Sequence, residues 1–192
     1  MVFMDTERIR TFIAVELPDT IKTQVEQLEV RLIKARADIK WVKPQNIHIT
    51  LKFLGEITTE RVEAACTGVR KALQTIGPFQ LSLSRVGAFP NLDRARVLWV
   101  DVEKGRDELI NLQHQIEDIL FTRNFVREPR PFSPHLAIGR VRSPKGLGTL
   151  TDLVKQTPFQ TLDFRVDRVA VIKSYLESSG SIYTVLEHAP LG

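Results

Sequence analysis

Asn46-Ile-His-Ile-Thr-Leu-Lys-Phe53 alternates polar and apolar residues without a break, the pattern of a β-strand with one packed face and one free face. Successive side chains of a strand leave on opposite sides. Ile47, Ile49, Leu51 and Phe53 therefore form the expected core face, and His48, Thr50 and Lys52 share the other. A second stretch, Ser133-Pro-His-Leu-Ala-Ile-Gly-Arg140, reads the same way: Leu136 and Ile138 take the packed side, with Ser133, His135, Ala137 and Gly139 opposite.

What flanks these strands also reads alike. Arg10–Leu17 has strand character, and Asp19 caps a helix on which Ile21, Val25, Leu28 and Leu32 recur at helical spacing. After the first histidine strand, Thr58-Thr59 opens a helix with Val62, Ala65, Cys66, Val69 and Leu73 on one face, and Gly77-Pro78 leads into a strand from Phe79 to Val86. The second half repeats the order: a strand Val97–Val102, a helix carrying Leu109, Leu112, Ile116, Ile119 and Leu120, then the second histidine strand. Phe12 and His48 stand 36 positions apart, Leu98 and His135 stand 37, and Pro78-Phe-Gln80 has its echo in Pro158-Phe-Gln160. The final strands, Asp167–Tyr175 and Ile182–Glu187, are joined by a hairpin-type turn, Glu177-Ser-Ser-Gly180.

These patterns predict an internal duplication. The expected fold is α+β and bilobal: a pseudo-two-fold pair of repeats, roughly 8–90 and 94–176, within one domain spanning 1–192, with antiparallel sheets lining a central cleft and helices packed outside. The 192 residues, 43% hydrophobic and 26% charged, fit a single globular domain and exclude a disordered chain. No apolar run approaches the roughly 20 residues of a membrane span, and the first residues do not resemble a signal peptide, so a cytoplasmic location with no membrane contact is expected. The single cysteine, Cys66, builds neither an internal disulfide nor a thiolate metal site; its place on an apolar helix stripe reads as a buried, inert thiol. A formal net charge of +4 suits a polyanionic partner without requiring one.

The chemistry follows from the two free faces. If the halves are related by an approximate two-fold, each contributes one imidazole to the cleft. Two imidazoles flanking a phosphodiester supply what its cleavage needs, one taking a proton from water and the other giving one to the leaving oxygen, each role worth roughly 10² to 10⁴ in rate. Thr50 adds a hydroxyl donor for a non-bridging oxygen, and Lys52 is expected to bring positive charge to the same place.

The segments Arg10-x-Phe-x-Ala14, Trp41-Val-x-Pro-x-Asn-x-His-x-Thr-Leu-Lys-Phe-Leu-Gly-Glu56 and Arg130-x-Phe-Ser-Pro-His-Leu-x-Ile-Gly-Arg140, with Ser174, Gly180 and Tyr183, resemble the RNA 2′,3′-cyclic phosphodiesterases, formerly 2′-5′ RNA ligases, of the two-histidine phosphoesterases. The resemblance runs over essentially the whole chain. It implies metal-independent opening of a 2′,3′-cyclic phosphate at an RNA end to a 2′-phosphate, His48 and Thr50 forming the first His-x-Thr motif and His135 the second histidine. One departure stands out: Ala137 occupies the place of the second motif's threonine. A transition-state donor lost without replacement costs about 10² to 10³ in rate. Ser133, two residues before His135, is the candidate substitute by strand parity, and Arg130 the candidate guanidinium clamp on phosphate.

Among the other residues, Arg127, Arg140, Arg142, Arg165, Arg168 and Lys173 are expected to extend the positive field, and Phe89, Phe132 and Tyr175 are candidates to stack a terminal base. Trp41 and Trp99 read as core or cleft-wall residues, while His114 and His188 are expected in solvent. Two rival readings are a metal-dependent phosphatase, for which His-x-His and His-Glu-x-x-His are both missing, and a catalytically silent RNA or nucleotide-binding module, which Ala137 would suit. The reading that best fits is a monomeric hydrolase acting on RNA ends or small cyclic nucleotides, without metal or cofactor. End joining through a 2′-5′ bond is the same chemistry reversed. Pseudo-symmetry leaves open which histidine is the base.

Overall fold

The computed structural model describes residues 7–177 and 180–192. In chain order the elements are β1 (Ile9–Glu16), α1 (Asp19–Leu32), β2 (Ile39–Trp41), β3 (His48–Ile57), α2 (Thr59–Leu73), β4 (Phe79–Leu81), β5 (Leu83–Phe89), β6 (Val97–Val102), α3 (Arg106–Phe121), β7 (His135–Val141), α4 (Leu147–Gln156), β8 (Phe164–Val166), β9 (Arg168–Glu177) and β10 (Gly180–Pro190). The Glu177–Gly180 turn has its two central residues outside the described ones. α2 starts where the sequence places its cap, with the Thr58 hydroxyl accepting from the Arg61 N–H at 3.4 Å. The expected single strand from Phe79 to Val86 is two, β4 and β5.

The strands form two four-stranded antiparallel sheets, in the orders β10-β9-β1-β3 and β2-β7-β6-β5, and a small pair, β4-β8. The sheets are built by exchange. β5, the last strand of the first half, hydrogen-bonds to β6 of the second, and β9, its counterpart in the second half, hydrogen-bonds to β1 of the first. The echoed Phe-Gln segments obey the same symmetry: Phe79 is the cross-strand partner of Val166, while the Phe159 carbonyl accepts from the Arg85 N–H at 3.1 Å. Neither half can complete its own sheet, so the two lobes share one hydrophobic core.

That core takes one face of each sheet: Ile13, Val15, Ile49 and Leu51 in the first, and Leu98, Val100, Leu136 and Ile138 in the second, against α1 to α4. On the opposite face of the first sheet lies a separate cluster, Phe12, Ala14, Ala170 and Ile172 with Tyr183 packed on it. This second face carries His48. Residues of β3 and β7 come within 8 Å, Cα to Cα, so the two histidine strands run past each other across the cleft.

Candidate active site

His48 opens β3 and His135 opens β7, and the two are held in the same way. Nδ1–H of His48 donates to the Asn46 carbonyl at 2.7 Å, and Nδ1–H of His135 donates to the Ser133 carbonyl, also at 2.7 Å. A carbonyl only accepts, so each bond fixes the tautomer and leaves Nε2 as the reactive nitrogen. Asn46 is itself anchored, its side-chain amide donating to the Ser181 carbonyl at 2.7 Å.

Aromatic rings wall both imidazoles. Phe12 lies 4.7 Å from His48, centroid to centroid, and Tyr183 meets it edge-on at 5.3 Å. Phe89 meets His135 edge-on at 5.0 Å and packs on Trp99 at 5.2 Å. Gly87 makes room for that indole, because a Cβ there would stand 2.3 Å from the ring. Burial by these neighbours lowers the His48 pKa below its ordinary value, opposed by the Asn46 carbonyl and by the charge of Glu16, its Cα partner on β1. Thr50 is the Cα partner of Ala14 and shares the face of His48. Ala137, on the same side of β7 as His135, is the Cα partner of Trp99.

Three of the candidates sit differently from their expectation. Lys52 does not share the face of His48 and Thr50. The β1–β3 register skips Leu51, and this bulge reverses the alternation beyond it. Lys52 therefore turns into the protein, 6% exposed, donating to both Glu117 carboxylate oxygens at 2.7 and 2.8 Å and to the Val126 carbonyl at 2.8 Å. Its charge is neutralised by Glu117, so it is not a free cation for phosphate. By the same reversal Phe53, expected in the core, stands 65% exposed on the cleft side, its ring 6.0 Å from Phe12.

Ser133 lies before the strand, which starts only at His135, so the parity argument for its hydroxyl does not reach it; its visible contribution is the carbonyl that orients His135. Arg130 sits in the segment joining α3 to β7. Its Nε donates to Glu128 at 2.8 Å and its side chain is 85% exposed, on the rim of an open cavity of about 380 Å³ shared with Gln113 and His114.

His188, expected in a solvated tail, belongs to β10 and bonds Glu16 through Nε2 at 2.5 Å. No local pattern announces that contact, because it joins strands 172 residues apart. Cys66 is buried as expected, its thiol pushed up to about 11 by burial first. Among the described residues, no group of three or more His, Cys, Asp or Glu side chains is arranged to hold a metal ion, and no helix is long and apolar enough to cross a membrane.

Comparison with known proteins agrees with this layout. The family described as LigT like Phosphoesterase matches the chain twice, over residues 15–99 and 100–183. A protein of Methanothermobacter thermautotrophicus named RNA 2′,3′-cyclic phosphodiesterase is 33% identical over 181 residues, covering 94% of this chain and 97% of its own. One of the same name from Aquifex aeolicus is 37% identical over 172 residues, covering 83% and 88%. The crystal structure of E. coli LigT in apo form superposes with a TM-score of 0.79 at 25% identity, over 96% of this chain and 98% of that one. With two copies of the family pattern, one histidine strand in each, the chain belongs to the LigT-like phosphoesterase family.

Proposed function

We propose that this protein hydrolyses 2′,3′-cyclic phosphates at RNA ends to 2′-phosphates, with His48 and His135 as its acid and base. The observation that carries the reading is the equivalence of the two imidazoles, each opening the corresponding strand of its repeat and each pinned at Nδ1 by the carbonyl two residues before it. Relatives bearing the name RNA 2′,3′-cyclic phosphodiesterase support the substrate, and the 3′-AMP complex of E. coli LigT supports a nucleotide in a cleft of this fold.

In this reading water attacks phosphorus as its proton passes to one Nε2. The P–O3′ bond breaks, and the other Nε2, protonated, delivers a proton to O3′, leaving the phosphate on O2′. Burial keeps His48 neutral near pH 7 and suits it to the base. Thr50 offers its hydroxyl to a non-bridging oxygen, and Arg130, exposed on its loop, serves the RNA phosphates beyond the reacting one. The chain acts as one bilobal domain with repeats roughly 8–90 and 94–176, as a cytoplasmic monomer, and needs no metal because strain in the five-membered ring already lowers the barrier.

The test is a 2′,3′-cyclic-phosphate oligonucleotide incubated in chelator with wild type, His48→Ala and His135→Ala, and the phosphate position of the product identified. Wild type yields 2′-phosphate, and each variant loses at least about 10²-fold in turnover. RNA binding without turnover by wild type would instead favour the silent binding module, in line with the absent hydroxyl at Ala137.

A further inference from the structure

We propose that Phe53, with Phe12 and Arg10, forms the seat for the nucleobase at the RNA end, an inference that rests on the function proposed above and names a part of its substrate site. The bulge at Leu51 takes Phe53 out of the core and sets it on the cleft side of the edge strand β3. A single exposed phenyl is ordinary on a protein surface. What marks this one is its place.

From the His48 imidazole the next ring is Phe12, at 4.7 Å, and the next after it is Phe53, a further 6.0 Å on. A phosphate at the imidazole, its ribose over Phe12 and its base on Phe53 span a single nucleoside. Between these rings and Arg10 lies a hollow of about 200 Å³, bounded also by Thr11, Gly55 and Glu56. That is smaller than the roughly 300–1,000 Å³ of sites that enclose a whole drug-sized ligand, and suits one ring system. A Cβ at Gly55 would meet no atom within 4 Å, so the approach on that side is open.

The other aromatic candidates are already engaged. Lys173 lies over the ring of Tyr175 at 4.7 Å and Arg127 over Phe121 at 4.6 Å. Phe89 is fixed between His135 and Trp99, and Phe132 packs on the core. Phe53 touches another ring only at Phe12, tilted by 45°, which leaves a π-face for stacking. Arg10, on the same side of β1 as Phe12, supplies the cation for the phosphate that follows the base.

The experiment compares wild type with Phe53→Ala, Phe53→Leu and Phe53→Trp on two oligonucleotides ending in 2′,3′-cyclic phosphate, one with its terminal base and one with an abasic terminal ribose, and measures the dissociation constant of a nucleoside 2′-phosphate for each protein. On the base-bearing end, Phe53→Ala and Phe53→Leu raise KM by about 10-fold or more with kcat little changed, while Phe53→Trp keeps the wild-type KM. On the abasic end all four proteins perform alike. An unchanged KM in Phe53→Ala, or equal losses on both ends, overturns the assignment. If wild type opens neither substrate, the enzymatic reading fails, and the dissociation constants decide the base seat separately: tighter binding by wild type and Phe53→Trp than by Phe53→Ala sustains it, and equal binding removes it.

Discussion

Each histidine has an acid as its Cα partner on the neighbouring strand, Glu16 beside His48 and Asp101 beside His135. The two acids are engaged differently. Asp101 is held by Arg85 at 2.9 Å and by Arg106, so two guanidinium groups offset its charge. Glu16 has only the imidazole of His188, which is a cation only when protonated, and its charge reaches His48, where it works against burial. Replacing Glu16 by Gln removes a group that favours the imidazolium, so the His48 pKa falls further. With His48 as base, the acidic limb of the kcat/KM profile moves to lower pH and the alkaline limb stays. The check is the profile of Glu16→Gln against wild type; a shift of the alkaline limb would make His48 the acid instead. At this scale the histidines and Thr50 were legible from alternation alone, whereas Glu16 and His188 were not, because their relation to His48 depends on strands distant in sequence.

Among the elements, β3 shows how far alternation can be followed. Its first four residues obey the pattern; after the bulge Lys52 and Phe53 exchange sides. The Lys52 ammonium then ties the strand bearing His48 to α3, through Glu117, and to the segment leading to His135, through the Val126 carbonyl. Gln113 adds its amide to Glu117 at 3.3 Å. Lys52→Met leaves a buried carboxylate and a carbonyl without their cation, a loss of about 3–5 kcal/mol, whereas Lys52→Met combined with Glu117→Met recovers most of it, since apolar groups fill such a site with little penalty. Urea unfolding of the two single variants and the double one measures this. If Lys52→Met alone were as stable as wild type, the ammonium would not be holding these elements together.

At the level of the molecule, one carboxyl stands apart from the rest of the core. Glu29 on α1 is 5% exposed, its Oε1 has no hydrogen-bond partner, and burial, with a smaller contribution from Glu26, raises its pKa from 4.5 to about 8. Between these two values the folded protein keeps a proton that the unfolded chain releases. The stabilisation is therefore complete below about pH 4.5 and is lost as pH rises through about 8. The slope is at most about 1.4 kcal/mol per pH unit. Denaturant unfolding at pH 5, 6, 7 and 8 shows this decline in wild type, and Glu29→Gln flattens it; an identical slope in both proteins would place the titrating group elsewhere.

The duplicated order of elements, the α+β class and the two histidine strands were all determined by the sequence itself, because strand alternation, helical spacing and caps are properties of neighbouring residues. The tertiary structure decided which strands share a sheet. β9 completes the first lobe and β5 the second, and that long-range pairing sets the bulge at Leu51, the burial of Lys52, the exposure of Phe53 and the bond from His188 to Glu16. Hydrogen bonding between strands from opposite halves settles register residue by residue, and a one-residue slip there reverses every side chain beyond it.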